Sequence, residues 1–241
     1  MATSMWAKAV RTVSEHVVLI ETPGGRGTGF VVRPPPGSND SCVVTAWHVI
    51  CHADDWQEPI KITHFPSGKQ AFLAPDARAI NTARGRDQAI VLFSADNLPL
   101  PKASLPFSKV DTRYNEGVEI GWLGFPAVAP SNLCFFCGHI STWLKQDEAY
   151  LVDGVAINGI SGGPAFVQDK DENPIVIGLV TEYRPNFVTG EPLPGVSLVR
   201  SINPLLKHYT EIQKQIAAAT VQEIPAGEKQ VGLQTGLQIE E

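Results

Sequence analysis

Residues 156–166 read "AINGISGGPAF": one serine, Ser161, among three glycines, with Pro164 three residues later. Glycine and proline at this density mark a turn. The element after that turn decides the fold. A serine on a strand-to-helix turn belongs to an α/β sheet, and one on a strand-to-strand turn belongs to an all-β protein. Pro164 stands where such a helix would begin, and "GPAFVQ" (163–168) continues as an apolar run of strand length. The segments beyond it also read as strands.

Working outward, short apolar runs rich in β-branched residues recur between Gly, Pro, Asn and Asp clusters. Before residue 97 they are "VVLIE" (17–21), "GFVVR" (29–33), "CVVTAWHVI" (42–50), "IKITHF" (60–65) and "QAIVLFS" (88–94). The proline-bearing stretch "NLPLPKASLPFS" (97–108) interrupts them. "GVEIGWLGF" (117–125), "CGHISTWL" (137–144), "AYLVD" (149–153), "IVIGLVTEY" (175–183) and "GVSLVRS" (195–201) then resume the pattern. Many short strands between turn signals predict an all-β barrel or sandwich fold. Two similar sets predict two β domains, at 13–105 and 112–202. One helix is expected over 203–219, with Asn203 as cap, Pro204 in the first turn, and Leu205, Tyr209, Ile212 and Ile216 on one face. Residues 220–241 are polar and without periodicity, and read as a flexible tail.

Composition narrows the function. A hydrophobic content of 43% against 18% charged residues gives enough apolar side chains for a core and argues against a disordered chain. The net charge of -6, with no basic run, argues against a nucleic-acid partner. No apolar stretch reaches membrane-spanning length, and the N-terminal segment lacks the apolar core of a signal peptide, so a cytoplasmic location is expected. Cys42, Cys51, Cys134 and Cys137 are read as buried free thiols; a Cys42–Cys51 disulfide is the alternative for the first two. His139 stands near Cys134 and Cys137, but a tetrahedral metal site needs a fourth ligand that the spacing does not supply. No metal and no cofactor are expected.

A serine hydroxyl becomes a nucleophile only with a base in reach, a group that orients the base, and donors for the oxyanion. Flanking glycines let backbone N–H groups approach a reacting carbonyl. The spacing Gly159-x-Ser161-x-Gly163 also matches the nucleophile elbow of α/β-hydrolases. That elbow needs an acid and a histidine later in the chain, and the only later histidine is His208, in the expected helix. The opposite order fits better. His48 ends a β-branched run where a strand passes into a loop, and Asp87 enters the next strand. The two lie in the first β domain and Ser161 in the second, so the site would fall in the cleft between them. His48 also reads as a core histidine. Asp87 also reads as a strand-entry residue, with Asp76 as the orienting acid instead, while Asp54 and Asp55 lie in the loop of His48 itself.

Four segments in order, "GTGFVV" (27–32), "TAWHVI" (45–50), "DQAIVLF" (87–93) and "GISGGPAF" (159–166), resemble the chymotrypsin-fold serine endopeptidases, in their compact form without many disulfides. "WLGFP" (122–126) and "IGLVTEY" (177–183) fit later strands of that family, and the likeness runs over residues 13 to 202. The resemblance implies two antiparallel six-stranded β-barrels with a C-terminal helix. It implies that Ser161 attacks the scissile carbonyl, His48 carries the proton, Asp87 orients His48, and the N–H groups of Gly159 and Ser161 hold the oxyanion. It implies a protein or peptide substrate, with primary-pocket residues at Val155, Asn158, Thr181, Glu182 and Tyr183. Val155 would favour a small or medium apolar side chain before the cut; Asp153 or Glu182 would instead favour Lys or Arg.

One departure stands out. Ile160 occupies the place where secreted relatives carry an acid that pairs with a newly cut N-terminus. Activation by that ion pair is therefore excluded, which leaves a constitutive enzyme or one ordered by a regulatory protein partner. The orientation of the Asn158–Gly159 peptide would separate those two. Beside the endopeptidase stand a catalytically silent binding module on the same fold and an α/β-hydrolase esterase.

Overall fold

The computed structural model describes residues 5–32, 40–98, 101, 103–185 and 192–207. A first helix, α1 (Ala7–Ser14), buries Ala9 and Val13, which lie one turn apart on one face. It leads into β1 (Val17–Thr22) and β2 (Gly25–Val32), a hairpin in register from Val17↔Phe30 to Thr22↔Gly25. β3 (Asp40–Thr45), a second helix α2 (Trp47–Asp55), β4 (Ile60–His64), β5 (Gln70–Leu73), β6 (Ala79–Ala83) and β7 (Gln88–Ser94) complete the first half. Its strands form one antiparallel sheet in the order β5-β4-β1-β2-β3-β7-β6.

This half differs from a closed six-stranded barrel. It has seven strands, and its edges β5 and β6 do not pair with each other. A 3-10 turn, Pro75–Ala77, separates them. Next to that turn Arg78 donates from Nη1 to the Leu73 carbonyl and from Nη2 to the Ala53 carbonyl, both at 2.9 Å. A guanidinium fork thus satisfies carbonyls at this gap in place of a strand ladder.

The second half is β8 (Glu119–Gly124), β9 (Cys134–Leu144), β10 (Ala149–Asp153), β11 (Pro164–Gln168), β12 (Pro174–Pro185) and β13 (Pro192–Ser201). These six close into a barrel, β10-β13-β12-β11-β8-β9. Trp122, Tyr150, Ile120 and Val152 fill its interior. The linker between the halves is tied to the barrel, with Ser108 N–H on the Val176 carbonyl (3.0 Å) and Val176 N–H on the Pro106 carbonyl (2.8 Å). The architecture is therefore all-β and chymotrypsin-like, a closed barrel beside an opened one.

The two halves share apolar packing. Leu123, Phe125, Phe166 and Leu179 of the second half join the core built on Val17, Phe30, Val44 and Ile50 of the first. α1 packs on β8 and β12, and Trp6 ahead of it is buried between Phe135 and Phe166, with ring centroids 5.4 and 5.6 Å away. Residues 203–207 are helical, with Leu205 buried; Asn203 stands inside this helix rather than capping it, and Ser201 Oγ accepts from its N–H at 3.3 Å. The rest of that helix (208–219) and the tail (220–241) lie outside the described residues.

Candidate active site

His48 is not in a loop. The β-branched run ends at Thr45, Ala46 is extended (φ -75°, ψ 141°), and α2 begins at Trp47. Val49, Ile50 and Ala53 bury one face of α2, and His48 falls on the exposed side. Ala46 offers no side-chain cap to this helix. Asp87 supplies one from the turn ahead of β7. Its Oδ1 accepts from His48 N–H at 2.8 Å, and its main-chain carbonyl accepts from Trp47 N–H at 3.1 Å. A carboxylate on the free N–H groups of a helix start is favourable both as a cap and through the helix dipole.

The second oxygen of the same carboxylate, Oδ2, lies 2.7 Å from His48 Nδ1. An ionised carboxylate only accepts hydrogen bonds, so Nδ1 carries the proton and Nε2 keeps its lone pair as the basic nitrogen. Nε2 has no hydrogen-bond partner among the described residues. Asp87 reaches both groups from a left-handed backbone (φ 51°) closing the short turn Arg84–Arg86. That conformation costs little for an aspartate. Asp76 lies in the turn after β5 and Asp55 pairs with Arg84. Among the acids considered, Asp87 is the one in contact with His48.

Ser161 stands on the turn between β10 and β11, which is anchored on three sides. Towards β12, Gly162 N–H donates to the Val180 carbonyl (2.7 Å), and Val180 N–H donates to the Gly163 carbonyl (2.9 Å). Towards β2, Thr28 N–H donates to the Ser161 carbonyl (2.8 Å) and Thr28 Oγ1 donates to the Gly159 carbonyl (2.7 Å). Thr28 Oγ1 also accepts from Phe125 N–H at 3.0 Å. On the third side, Ala127 N–H donates to the Asn158 carbonyl at 2.6 Å.

That last bond fixes the Asn158–Gly159 peptide plane. In a trans peptide the N–H points opposite to the C=O, and no cis bond is present among the described residues. Gly159 N–H is therefore turned away from Ala127. Neither it nor Ser161 N–H has an acceptor among the described residues, and two free amides on one tight turn are ready to bind an anion. The shape requires glycine at two points. Gly159 has φ +95°, and a Cβ there would come within 2.3 Å of the Phe125 carbonyl oxygen; Gly162 has φ +85°, and a Cβ would meet the Thr28 carbonyl at 2.1 Å. Ile160 between them is fully buried in the barrel core and packs on Gly124. Apolar packing holds the place where an ion pair was excluded from sequence.

Ser161 Oγ donates to the Thr181 carbonyl at 3.2 Å. One staggered rotation about χ1 separates that position from others. His48, Asp87 and Ser161 line one cavity of about 620 Å³, with Arg84, Gly85, Ala156, Ile157, Asn158, Thr181, Glu182 and Arg200. A second cavity, of about 710 Å³ against Arg86, Trp143, Glu148 and Lys207, has neither a His nor a Cys in its lining. Among the described residues no group of three His, Cys, Asp or Glu side chains could hold a metal ion. No disulfide joins the four cysteines; Cys42 is buried, Cys51 and Cys134 are half-buried and Cys137 is exposed, which departs from the expectation that all are buried. Partial desolvation of this exposed residue, with the Glu119 carboxylate adding repulsion, pushes the Cys137 thiol up and away from its reactive thiolate form.

The residues expected around the primary pocket divide. Asn158, Thr181 and Glu182 line the cavity; Val155 is 45% exposed and does not, while its neighbours Ala156 and Ile157 do. Tyr183 pairs with Ser197 in the ladder, and its side chain lies outside the described residues. Asp153 is engaged by His139, accepting from its N–H and lying 3.5 Å from its Nδ1. Glu182 lies 3.4 Å from Arg200. Two residues were missed from sequence. Thr28 sits in the quoted "GTGFVV", but its bond to Gly159 spans 131 residues. Arg84 had as its signal only a nearness in sequence to Asp87.

Residues 27–179 match the family model described as trypsin-like peptidase domain. The chain belongs to that family. No curated protein matches it in sequence. Among solved structures, Deg5 is similar at 19% identity and a TM-score of 0.60, over 83% of this chain and 89% of that one. The serine endoprotease from Yersinia pestis is similar at 18% identity and a TM-score of 0.59, over 92% of this chain and 68% of that one. The inactive form of Rv3671c from M. tuberculosis H37Rv, a serine-to-alanine mutant, is similar at 18% identity and a TM-score of 0.57, over 94% and 97%. These likenesses carry the fold. No helix among the described residues is long and apolar enough to cross a membrane.

Proposed function

We propose that this chain is a serine endopeptidase acting through His48, Asp87 and Ser161. One observation carries the reading: an oriented His–Asp pair and a serine share a cavity, and the turn that bears the serine carries two amides without an acceptor among the described residues. Ser161 Oγ turns from the Thr181 carbonyl to His48 Nε2 and attacks the carbonyl carbon of the substrate. A C–O bond forms, the Oγ proton passes to Nε2, and the charge on the carbonyl oxygen is received by Gly159 and Ser161 N–H. Asp87 stabilises the charged imidazole. Collapse breaks the C–N bond, and the proton on Nε2 leaves with the amine. A water molecule then repeats the sequence on the acyl-enzyme.

The Asn158 carbonyl held by Ala127 supports an oxyanion site formed without a partner protein, and the buried Ile160 supports activation without chain cleavage. Ala156 and Ile157 in the lining favour a small or medium apolar side chain before the cut. A basic side chain would find Asp153 on His139 and Glu182 on Arg200.

The bond from Ser161 to Thr181 favours a second reading, a silent binding module whose serine rests away from its base. A fluorophosphonate probe separates the two. The endopeptidase reading expects labelling of the wild type and none of Ser161→Ala, with kcat on peptides falling by about 10⁴- to 10⁶-fold. A folded wild type that takes no label in its isolated state supports the silent module.

A further inference from the structure

We propose that Arg84 makes this enzyme select an acidic side chain, Asp or Glu, at the second residue before the cleaved bond. The inference rests on the endopeptidase reading and names a substrate class for the same cavity. Its starting point is the set of charged groups in the lining: Arg84, Asp87, Glu182 and Arg200, beside His48. Asp87 is taken by His48. Arg200 is mostly buried, donates to the Asp147 carbonyl at 2.7 Å and lies 3.4 Å from Glu182. Those two charges offset each other. Arg84 is left as the cation that faces the cavity without a partner within it.

Its position is set by α2. The Arg84 guanidinium lies over the Trp47 ring at 4.5 Å, and Trp47 precedes His48. Cation–π attraction to the ring uses none of the guanidinium N–H donors as a hydrogen bond to an oxygen, and those donors form a planar fork that matches a carboxylate. The other partner of Arg84 is Asp55, at 3.2 Å, with side chains 61% and 52% exposed. A pair so exposed contributes little, and five N–H donors are not exhausted by one oxygen.

The position along the substrate comes from strand geometry. The residue whose carbonyl meets Ser161 would place its side chain on the barrel flank, against Ala156, Ile157 and Thr181. Successive side chains of an extended segment point to opposite sides. The preceding residue therefore faces the sheet flank, where Trp47, His48 and Arg84 stand.

The test compares peptides that differ only in Asp or Asn at this position. The wild type is expected to favour Asp by about three- to tenfold in kcat/KM, with the preference shrinking as salt rises. Arg84→Gln should bring the ratio to one, and Arg84→Glu should favour Lys there over Asp. A ratio of one in the wild type, or an unchanged ratio in Arg84→Gln, overturns the inference. So does a preference that peaks when Asp is moved one residue either way. Labelling by a fluorophosphonate separates the two failures. A labelled enzyme without Asp preference removes only the role of Arg84. A wild type without Ser161-dependent labelling removes the endopeptidase reading, and this inference with it.

Discussion

In the sheet half the functional side chains are bound to each other; in the barrel half Ser161 Oγ bonds a main-chain carbonyl, and the amides of Gly159 and Ser161 have no acceptor among the described residues. Asp87 holds His48 through both oxygens, one on the ring and one on the main chain. The turn that bears Gly159 and Ser161 is held through their carbonyls and through Gly162 N–H, and the Gly159 and Ser161 N–H groups have no acceptor among the described residues. The contrast matches the tasks proposed for each. A base must be in the right tautomer before substrate arrives, so its orienting bonds are made in the resting state. Donors for a developing oxyanion must be empty in the resting state and fixed in direction. The sheet half thus stores its order in side-chain bonds, and the barrel half in backbone shape.

The widest test of that contrast is Asp87→Asn. The amide still offers an oxygen to His48 N–H, so α2 keeps a cap and stability should change by about 1 kcal/mol or less. The amide can also donate to the ring, which favours the wrong tautomer, and kcat should fall by about 10⁴-fold. Urea unfolding and peptide kinetics on the one variant give both numbers. Activity within tenfold of wild type would mean that Asp87 is a helix cap and no more.

Gly159→Ala tests the other half. The new Cβ would press on the Phe125 carbonyl at a backbone angle that L-residues rarely adopt. The turn must move, so kcat should fall by about 10²- to 10³-fold, with a loss of roughly 1–3 kcal/mol in stability. The low-field proton NMR signal of His48 Nδ1–H should survive, because the His–Asp pair is anchored elsewhere. Loss of that signal together with activity would show the two halves to be one cooperative site.

The sheet half also carries a pH liability of its own. His16, between α1 and β1, is buried, and burial pushes its pKa down to about 4, against support from the Val31 backbone and with His64 adding repulsion. His64 is itself bonded to Ser67 and to the Glu15 carbonyl. The folded state refuses a proton that the unfolded chain accepts below about pH 6.5. Stability should therefore fall as pH drops from about 6.5 towards 4, by up to about 3 kcal/mol. His16→Gln cannot titrate, so its urea midpoint should vary less over that range. An equal slope in both proteins would move the liability elsewhere.

The sequence carried the motifs and not the contacts that join them. "TAWHVI", "DQAIVLF" and "GISGGPAF" hold the three residues that line one cavity; β7 and β11 follow the short apolar runs, while the run that holds His48 ends as a strand at Thr45. α2 was hidden because β-branched residues run straight into it and its cap, Asp87, is remote in sequence. α1 is a short helix whose one buried face rests on Ala9 and Val13. β5 exposes every second residue and β6 fully buries none, so no apolar run marks them. The opened edge of the sheet rests on Arg78 reaching two carbonyls, and Arg84 gains its place by stacking on Trp47. Neither is a local property of the chain.

Thr28 is where the two modes of order meet, and it gives the smallest and most selective prediction. Its hydroxyl lies between the Gly159 carbonyl and Phe125 N–H, while its own carbonyl accepts from Thr45 Oγ1 at 2.7 Å. Thr28→Val keeps the shape and removes the hydroxyl, leaving a buried carbonyl and a buried N–H unpaired. That should cost about 1–3 kcal/mol, and free the Gly159 peptide enough to lower kcat by about tenfold with less change in KM. Thr28→Ser, which restores the hydroxyl, should recover most of kcat even where the lost methyl leaves stability low. A Thr28→Val enzyme that is less stable but turns over at the wild-type rate would show that the bonds from β12 and Ala127 orient the oxyanion donors by themselves. Thr28 would then join the halves without tuning the chemistry between them.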